Sequence, residues 1–480
     1  MTSLKQKTAT GLKWSSIESF SRQGISFVIG IIIARILSPS DYGIIGMILI
    51  FTEVSAVFIN GGFSAALIRK QNRTESDLST VFYYNIVVSL FFYLVLFVSA
   101  PYIANFYHSP ILTMVVRVVS LNMVIGALGA IQSTILNIAI DFKTQTKITV
   151  LTLIVTGTIG ISMAYSGFGV WALVFQGLAS TAISTSLLWI FIGWKPKLVF
   201  SLQSFKELFG FGSKLMLSGL LDTVYKNIYQ VVIGKKFTSA ELGFFTRAKG
   251  LAQLPSSNIT NIIQRVTFPI LSEMQDNLTQ LATNYRKLLK MSAFIIFPLM
   301  MLLFGLAEPL IKILLTDKWL PAVPMLQVLC FSYMFYPIHA INLNLLQVKG
   351  RSDLFLRLEI IKKALITIVL FATAPFGVLV MCYGIILTSL LALIINTYYT
   401  GKLINVGFST QIKDIFPVLI LSFITGFLAY FPSLILTESY FQLGFGSVLG
   451  TLFFISASYL LKFSELNELI NFLFKQNKKL

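Results

Sequence analysis

Stretches of about twenty apolar residues, set apart by short polar connections, recur along the whole chain, and that recurrence admits few folds. Each bilayer crossing takes roughly 20 residues of helix, so the 480 residues divide into about 14 crossings with no room for a sizeable extramembrane domain. Apolar residues make up 56% and charged residues 12%, with a mean hydropathy of +0.81. A soluble domain carries about twice that charge, so a water-soluble enzyme is excluded. The expected class is an all-α integral membrane protein, with helices near 14–37, 41–67, 79–104, 111–138, 147–165, 168–193 and 206–234. Seven more are expected near 241–271, 285–307, 321–347, 354–374, 377–400, 412–432 and 443–461. The first apolar stretch runs on past Gly24 to Leu37 behind Glu18 and Arg22, which reads as a permanent helix and not a cleavable signal.

The formal charge of +18 is explained by sidedness. Connections on the side of the N-terminus hold 24 Lys and Arg, against five on the other side: Arg35, Lys235, Lys236, Lys312 and Lys318. That asymmetry predicts both termini in the cytoplasm, an even helix number and a basic cytoplasmic tail. Binding of nucleic acid has no other support. Cys330 and Cys382 lie in apolar stretches, so neither a disulfide framework nor a zinc site is suggested.

A repeat appears at an offset of 200. Ile31-Ile32-Ile33-Ala34-Arg35-Ile36-Leu37-Ser38-Pro39-Ser40-Asp41-Tyr42-Gly43 aligns with Val231-Val232-Ile233-Gly234-Lys235-Lys236-Phe237-Thr238-Ser239-Ala240-Glu241-Leu242-Gly243. Each copy ends a helix on a cation and opens the next with a Ser/Thr-x-x-acid capping box. At an offset of 208, Phe168-Gly169-Val170 matches Phe376-Gly377-Val378. Six helices separate the copies, which predicts two like-facing six-helix lobes, 1–200 and 201–405, followed by two further helices and the tail over 406–480.

Eight cations fall inside expected helices: Arg22, Arg117, Lys214, Lys226, Arg247, Lys249, Lys362 and Lys363. Left unpaired at mid-membrane they would cost roughly 20 to 28 kcal/mol, more than the about 5 to 15 kcal/mol by which proteins are usually stable. They must be paired, hydrated or drawn to an interface. Ser15, Glu18, Arg22 and Ser26 form a stripe on the first helix, and Lys214, Ser218, Asp222, Lys226 and Gln230 one on the seventh. The second helix adds Glu53, Asn60 and Ser64, and the eighth Arg247, Lys249, Gln253, Ser257, Asn258, Asn261 and Gln264.

These stripes predict a shared wet face. Its expected cationic binding residues are Arg22, Lys226, Arg247, Lys249 and Lys362, with Asn60, Gln253 and Asn261 as polar lining and Glu18, Glu53 and Asp222 as candidates for ion coupling. Four embedded acids, Glu18, Glu53, Asp222 and Glu359, face eight cations, so the interior favours an anion. The opposing reading is local salt bridges and snorkelling, toward which Lys214, Arg117 and Lys363 lean. Pro255, Pro269, Pro298, Pro321, Pro324 and Pro337 are each placed to bend a helix, as hinge or as static kink.

No phosphate-binding loop of the G-x-x-x-x-G-K-[ST] type, H-E-x-x-H or EF-hand pattern is present, so neither a cofactor nor a metal is expected.

The turn Ala34-Arg35-Ile36-Leu37-Ser38-Pro39-Ser40-Asp41-Tyr42-Gly43, with Leu242-Gly243-Phe244-Phe245-Thr246-Arg247-Ala248, Leu251-Ala252-Gln253-Leu254-Pro255 and Val266-Thr267-Phe268-Pro269-Ile270-Leu271-Ser272-Glu273-Met274-Gln275-Asp276, resembles the polysaccharide flippases of the multidrug, oligosaccharidyl-lipid and polysaccharide exporter superfamily. The resemblance implies a bacterial inner-membrane protein that moves an undecaprenyl-diphosphate-linked oligosaccharide to the periplasmic leaflet by alternating access, for lipopolysaccharide, capsule or exopolysaccharide assembly. It also implies lobes enclosing a cationic central cavity to which Arg22 and Arg247 belong, and polymerase and chain-length proteins as pathway partners. The chain departs from the family pattern near the end of the seventh helix, where relatives often carry an acid and this sequence reads Asn227-Ile228-Tyr229-Gln230. The alternatives are an ion-coupled exporter of organic cations with the same architecture, which needs an acidic interior, and a membrane glycan polymerase, which needs a long outer loop.

Overall fold

Helix follows helix along the chain. The computed structural model describes the backbone of residues 4–475 and the side chains of residues 14–264 and 267–471, with no strand among them. The side chains of Lys5, Lys7, Lys13, Arg265, Lys475, Lys478 and Lys479, which enter the sidedness argument, lie outside the described residues. The first seven segments are α1 (Leu4–Ile36), α2 (Pro39–Arg69, broken at Gly61), α3 (Glu75–Phe106), α4 (Leu112–Ala139), α5 (Phe142–Tyr165), α6 (Val170–Phe191) and α7 (Leu202–Lys236). The others are α8 (Ser239–Glu273), α9 (Leu278–Gly305), α10 (Ala322–Met334 and Tyr336–Val348), α11 (Ser352–Thr373), α12 (Val378–Ile404), α13 (Phe408–Ile435) and α14 (Ser439–Leu460). This is an all-α multi-pass membrane protein.

Ten of these segments are long and apolar enough to cross a bilayer by composition alone. The other four, α7, α8, α10 and α11, carry the densest polar side chains or, in α10, are split in two. At 35 residues each, α7 and α8 are about 50 Å long, well beyond the roughly 30 Å of a hydrocarbon core.

Two sequence expectations change in detail. Pro321, Pro324 and Pro337 do not bend a continuous tenth helix: α10 is two helices, and these prolines sit at their starts, where a missing backbone N–H has no partner to lose. Pro255, Pro269 and Pro298 do lie inside their helices. The segment before the basic tail forms a further helix, Ser464–Lys475.

The chain packs as two compact units, Met1–Gly243 and Phe244–Leu480. In the first, α1 lies along α5, α5 along α6, α4 against α3 and α6, and α7 along α2. Its core gathers Phe63, Leu67, Phe82, Ile131 and Leu208. In the second, α9 packs on α13 and the first part of α10, α12 on α10 and α11, and α14 on α13. Small residues allow those close approaches: a Cβ on Gly305 would lie 2.3 Å from the carbonyl oxygen of Gly426.

Both capping boxes of the repeat form. Ser38 N–H donates to Asp41 Oδ2 at 2.9 Å, and Thr238 N–H to Glu241 Oε2 at 3.0 Å. The two boxed helix starts also lie against each other within the first unit. A Cβ on Gly43 would be 1.7 Å from the Ser239 carbonyl oxygen, and one on Gly243 would be 1.9 Å from that of Pro39. Only glycine permits either approach, and the hydroxyls of Ser40 and Ser239 meet at 2.5 Å beside it.

Candidate functional site

In the first unit, the helical spacing of the α1 stripe brings Arg22 Nε to 3.6 Å from Glu18 Oε1, leaving the Arg22 side chain 56% exposed and that of Glu18 16% exposed. More than half of the Arg22 side chain is therefore open to a second anion. On α7, Asp222 and Lys226 are exposed one turn apart. Glu53 of α2 is half-buried and accepts a 2.6 Å hydrogen bond from Asn227 Nδ2 of α7. Asn227, near the end of α7, thus serves a carboxylate from the neighbouring helix. Asn60 is exposed and lines a cavity of about 470 Å³ between α2, α4 and α6.

In the second unit, Arg247 is half-buried, with its guanidinium carbon 6.0 Å from the centre of the fully buried Trp319 ring. An indole face at this distance attracts the guanidinium's positive charge. Lys249 and Gln253 are half-buried further along α8. Asn261 borders a cavity of about 520 Å³ whose polar lining is four amides, its own and those of Gln264, Asn344 and Gln347.

Lys362 is paired with Glu359, and Lys363 Nζ lies 3.9 Å from the same carboxylate. Two cations share one acid, so this turn of α11 keeps a positive balance. It lines a third cavity, of about 420 Å³, with His339, Ser389 and Asn396. His339 has Nε2 3.1 Å from Ser389 Oγ and Nδ1 3.3 Å from Asn396 Nδ2.

The geometry thus joins Arg22 to Glu18, Glu53 to Asn227 and Lys362 to Glu359. Asn60 and Asn261 each border a cavity of their own unit. Sequence reasoning missed the serines and threonines of α6 and the His339 cluster. The spacing of Ser180, Ser184 and Thr181, Thr185 puts them on one face of α6, but short hydroxyl side chains inside an apolar helix carry little hydropathy signal. Among the described residues no three His, Cys, Asp or Glu side chains gather as a metal site would require.

The chain is 26% identical over 438 residues to the teichuronic acid biosynthesis protein TuaB of Bacillus subtilis, covering 90% of each chain. It is 26% identical to the succinoglycan biosynthesis transport protein ExoT of Rhizobium meliloti, covering 68% of this chain and 66% of that one. It is 23% identical to the lipopolysaccharide biosynthesis protein WzxC of Escherichia coli K12, covering 82% and 80%. A solved structure of the lipid II flippase MurJ in an inward closed conformation has the same fold, with a TM-score of 0.77 at 15% identity over 93% of this chain and 98% of that one. An inward-facing multidrug resistance transporter of the MATE family follows with a TM-score of 0.61 at 15% identity, covering 80% and 95%. Residues 32–324, more than half of the chain, match the family described as polysaccharide biosynthesis protein, and this chain belongs to that family.

Proposed function

We propose that this protein is a flippase that carries an undecaprenyl-diphosphate-linked oligosaccharide from the cytoplasmic to the periplasmic leaflet of a bacterial inner membrane by alternating access, with both termini in the cytoplasm. The observation that carries the reading is the excess of cations on the polar helices. Arg22, Lys226, Arg247, Lys249 and Lys362 supply positive charge on α1, α7, α8 and α11, against Glu18, Glu53, Asp222 and Glu359. A diphosphate is an anion such a surface attracts, and Arg22 and Arg247 offer the guanidinium geometry that grips phosphate oxygens. The polyprenyl tail remains in lipid. The names of TuaB, ExoT and WzxC, which refer to biosynthesis or transport of surface polymers, support the same cargo class.

Polymerase and chain-length proteins of one assembly pathway are the proposed partners, with lobes 1–200 and 201–405 as the moving halves and Glu18, Glu53 and Asp222 as the groups to test for ion coupling. The Arg22→Ala, Arg247→Ala double variant should abolish surface polymer while the protein stays at its normal level in the membrane. Normal export by that variant overturns the reading. A drug-resistance phenotype dependent on this protein would favour export of organic cations instead.

A further inference from the structure

The cavity bordered by Asn60 differs in chemistry from the cationic residues. Asn60 of α2, Asn122 and Ser133 of α4, and Ser180, Thr181 and Ser184 of α6 converge on it, and no charged side chain lines it. Residues 122–133 occupy the middle of α4, one of the segments long and apolar enough to cross a bilayer. Asn122 Oδ1 is buried and has no hydrogen-bond partner. A buried amide carbonyl without a donor is an unmet hydrogen-bonding group in the wall of this pocket.

The lining sorts ligand classes. A diphosphate needs cations, an organic cation needs carboxylates or aromatic faces, and a lipid tail needs an apolar wall. Hydroxyls and amides are each donor and acceptor without charge, which suits a ring bearing several hydroxyls. Asn60 Nδ2 and Thr181 Oγ1 donate to the carbonyls of Ala56 and Gly177 at 2.9 and 3.2 Å, so their oxygens remain open as acceptors for sugar hydroxyls. We propose that this pocket of the first unit binds a neutral sugar of the cargo, separately from the cations that hold its diphosphate. The inference rests on the lipid-linked oligosaccharide reading above and assigns the glycan part of that cargo to α2, α4 and α6.

The test titrates the full-length protein with two probes: synthetic undecaprenyl diphosphate, and the lipid-linked oligosaccharide fraction extracted from the producing cells. Wild-type protein should bind the glycosylated lipid about tenfold more tightly than the bare one, and the pocket-filling Asn122→Leu, Ser184→Val variant should bring the two within about twofold while bare-lipid affinity holds. Ser180→Ala with Ser184→Ala removes only oxygen atoms and should give an intermediate loss, which keeps the test decisive if the filled variant fails to fold. Discrimination that survives filling, or an equal loss for both lipids, overturns the proposal. Wild-type protein that binds both probes equally overturns it and leaves the diphosphate reading standing. Binding of neither overturns both.

Discussion

Asn227 donates its side-chain amide to Glu53 Oε2 at 2.6 Å and so ties α7 to α2. The same Nδ2 also reaches the Thr223 carbonyl at 3.0 Å, which holds the amide with its donors toward the acid. Asn227→Leu leaves a half-buried carboxylate without this donor and should lower stability by about 1 to 3 kcal/mol, read as a drop in Tm of the detergent-solubilised protein. Glu53→Gln keeps an acceptor for the same amide and should fold with a smaller drop. A larger loss of transport than of Tm in Glu53→Gln would mark the carboxylate as functional; parallel small losses would make it a strut between helices.

Arg286 of α9 grips Asp414 of α13 with two hydrogen bonds of 2.7 Å, and Lys290 approaches the same carboxylate at 3.4 Å. Asp414 is 5% exposed and Arg286 44% exposed, so the acid carries the desolvation. Asp414→Asn should cost about 2 kcal/mol, below the 3 to 5 usual for a fully buried pair because solvent reaches the guanidinium. Thermal unfolding of the variant checks this, and the loss should exceed that of Arg351→Ala, whose partner Asp353 is 61% exposed.

The ion pairs made by Lys70 and by Arg351 with Asp353 should be insensitive to pH between 5 and 9. Desolvation pulls the Lys70 ammonium down, but hydrogen bonds to Glu207 and Asp77 at 2.9 and 3.1 Å outweigh it and hold the group above its ordinary 10.5. A raised lysine stabilises fully below its unfolded value and loses that contribution only as pH climbs through the higher folded one. The hydrogen bonds from Arg351 hold Asp353 down to about 2. A lowered carboxylate stabilises above its unfolded value and loses that contribution as pH falls through about 2. Tm profiles of Lys70→Met and Asp353→Asn should therefore run parallel to wild type from pH 5 to 9, with the difference shrinking only outside that window.

Much of the fold was legible because it rests on periodicities that sequence displays. The capping boxes at Ser38 and Thr238 appear at the two helix starts where the repeat places them. The pairs Glu18 with Arg22 and Glu359 with Lys362 follow from helical spacing. Contacts between helices distant in sequence were not legible: nothing local to Asn227 names Glu53 as its partner, and nothing in Arg286 points 128 residues on to Asp414. The three cavities share that property. Each is a sum over helices, and Ser180 or His339 alone gives no sign of the others that meet it.

The contact between the starts of α2 and α8 gives the most direct handle on motion. Gly43 and Gly243 each lie where a methyl group would overlap the backbone of the opposite helix start, and Ser40 and Ser239 touch through their hydroxyls. The chain's own thiols, Cys330 and Cys382, are buried, so an introduced pair at the contact can be oxidised without competition. Ser40→Cys with Ser239→Cys should form a disulfide in high yield under mild oxidant, measured as a mobility shift that reductant reverses. Adding Gly43→Ala should cut that yield severalfold, because the new Cβ displaces the Ser239 carbonyl and drives the sulfurs apart. If export requires these two turns to separate, the oxidised pair should stop transport and reductant should restore it; a cross-linked protein that exports at the normal rate would show that the turns stay joined throughout the cycle.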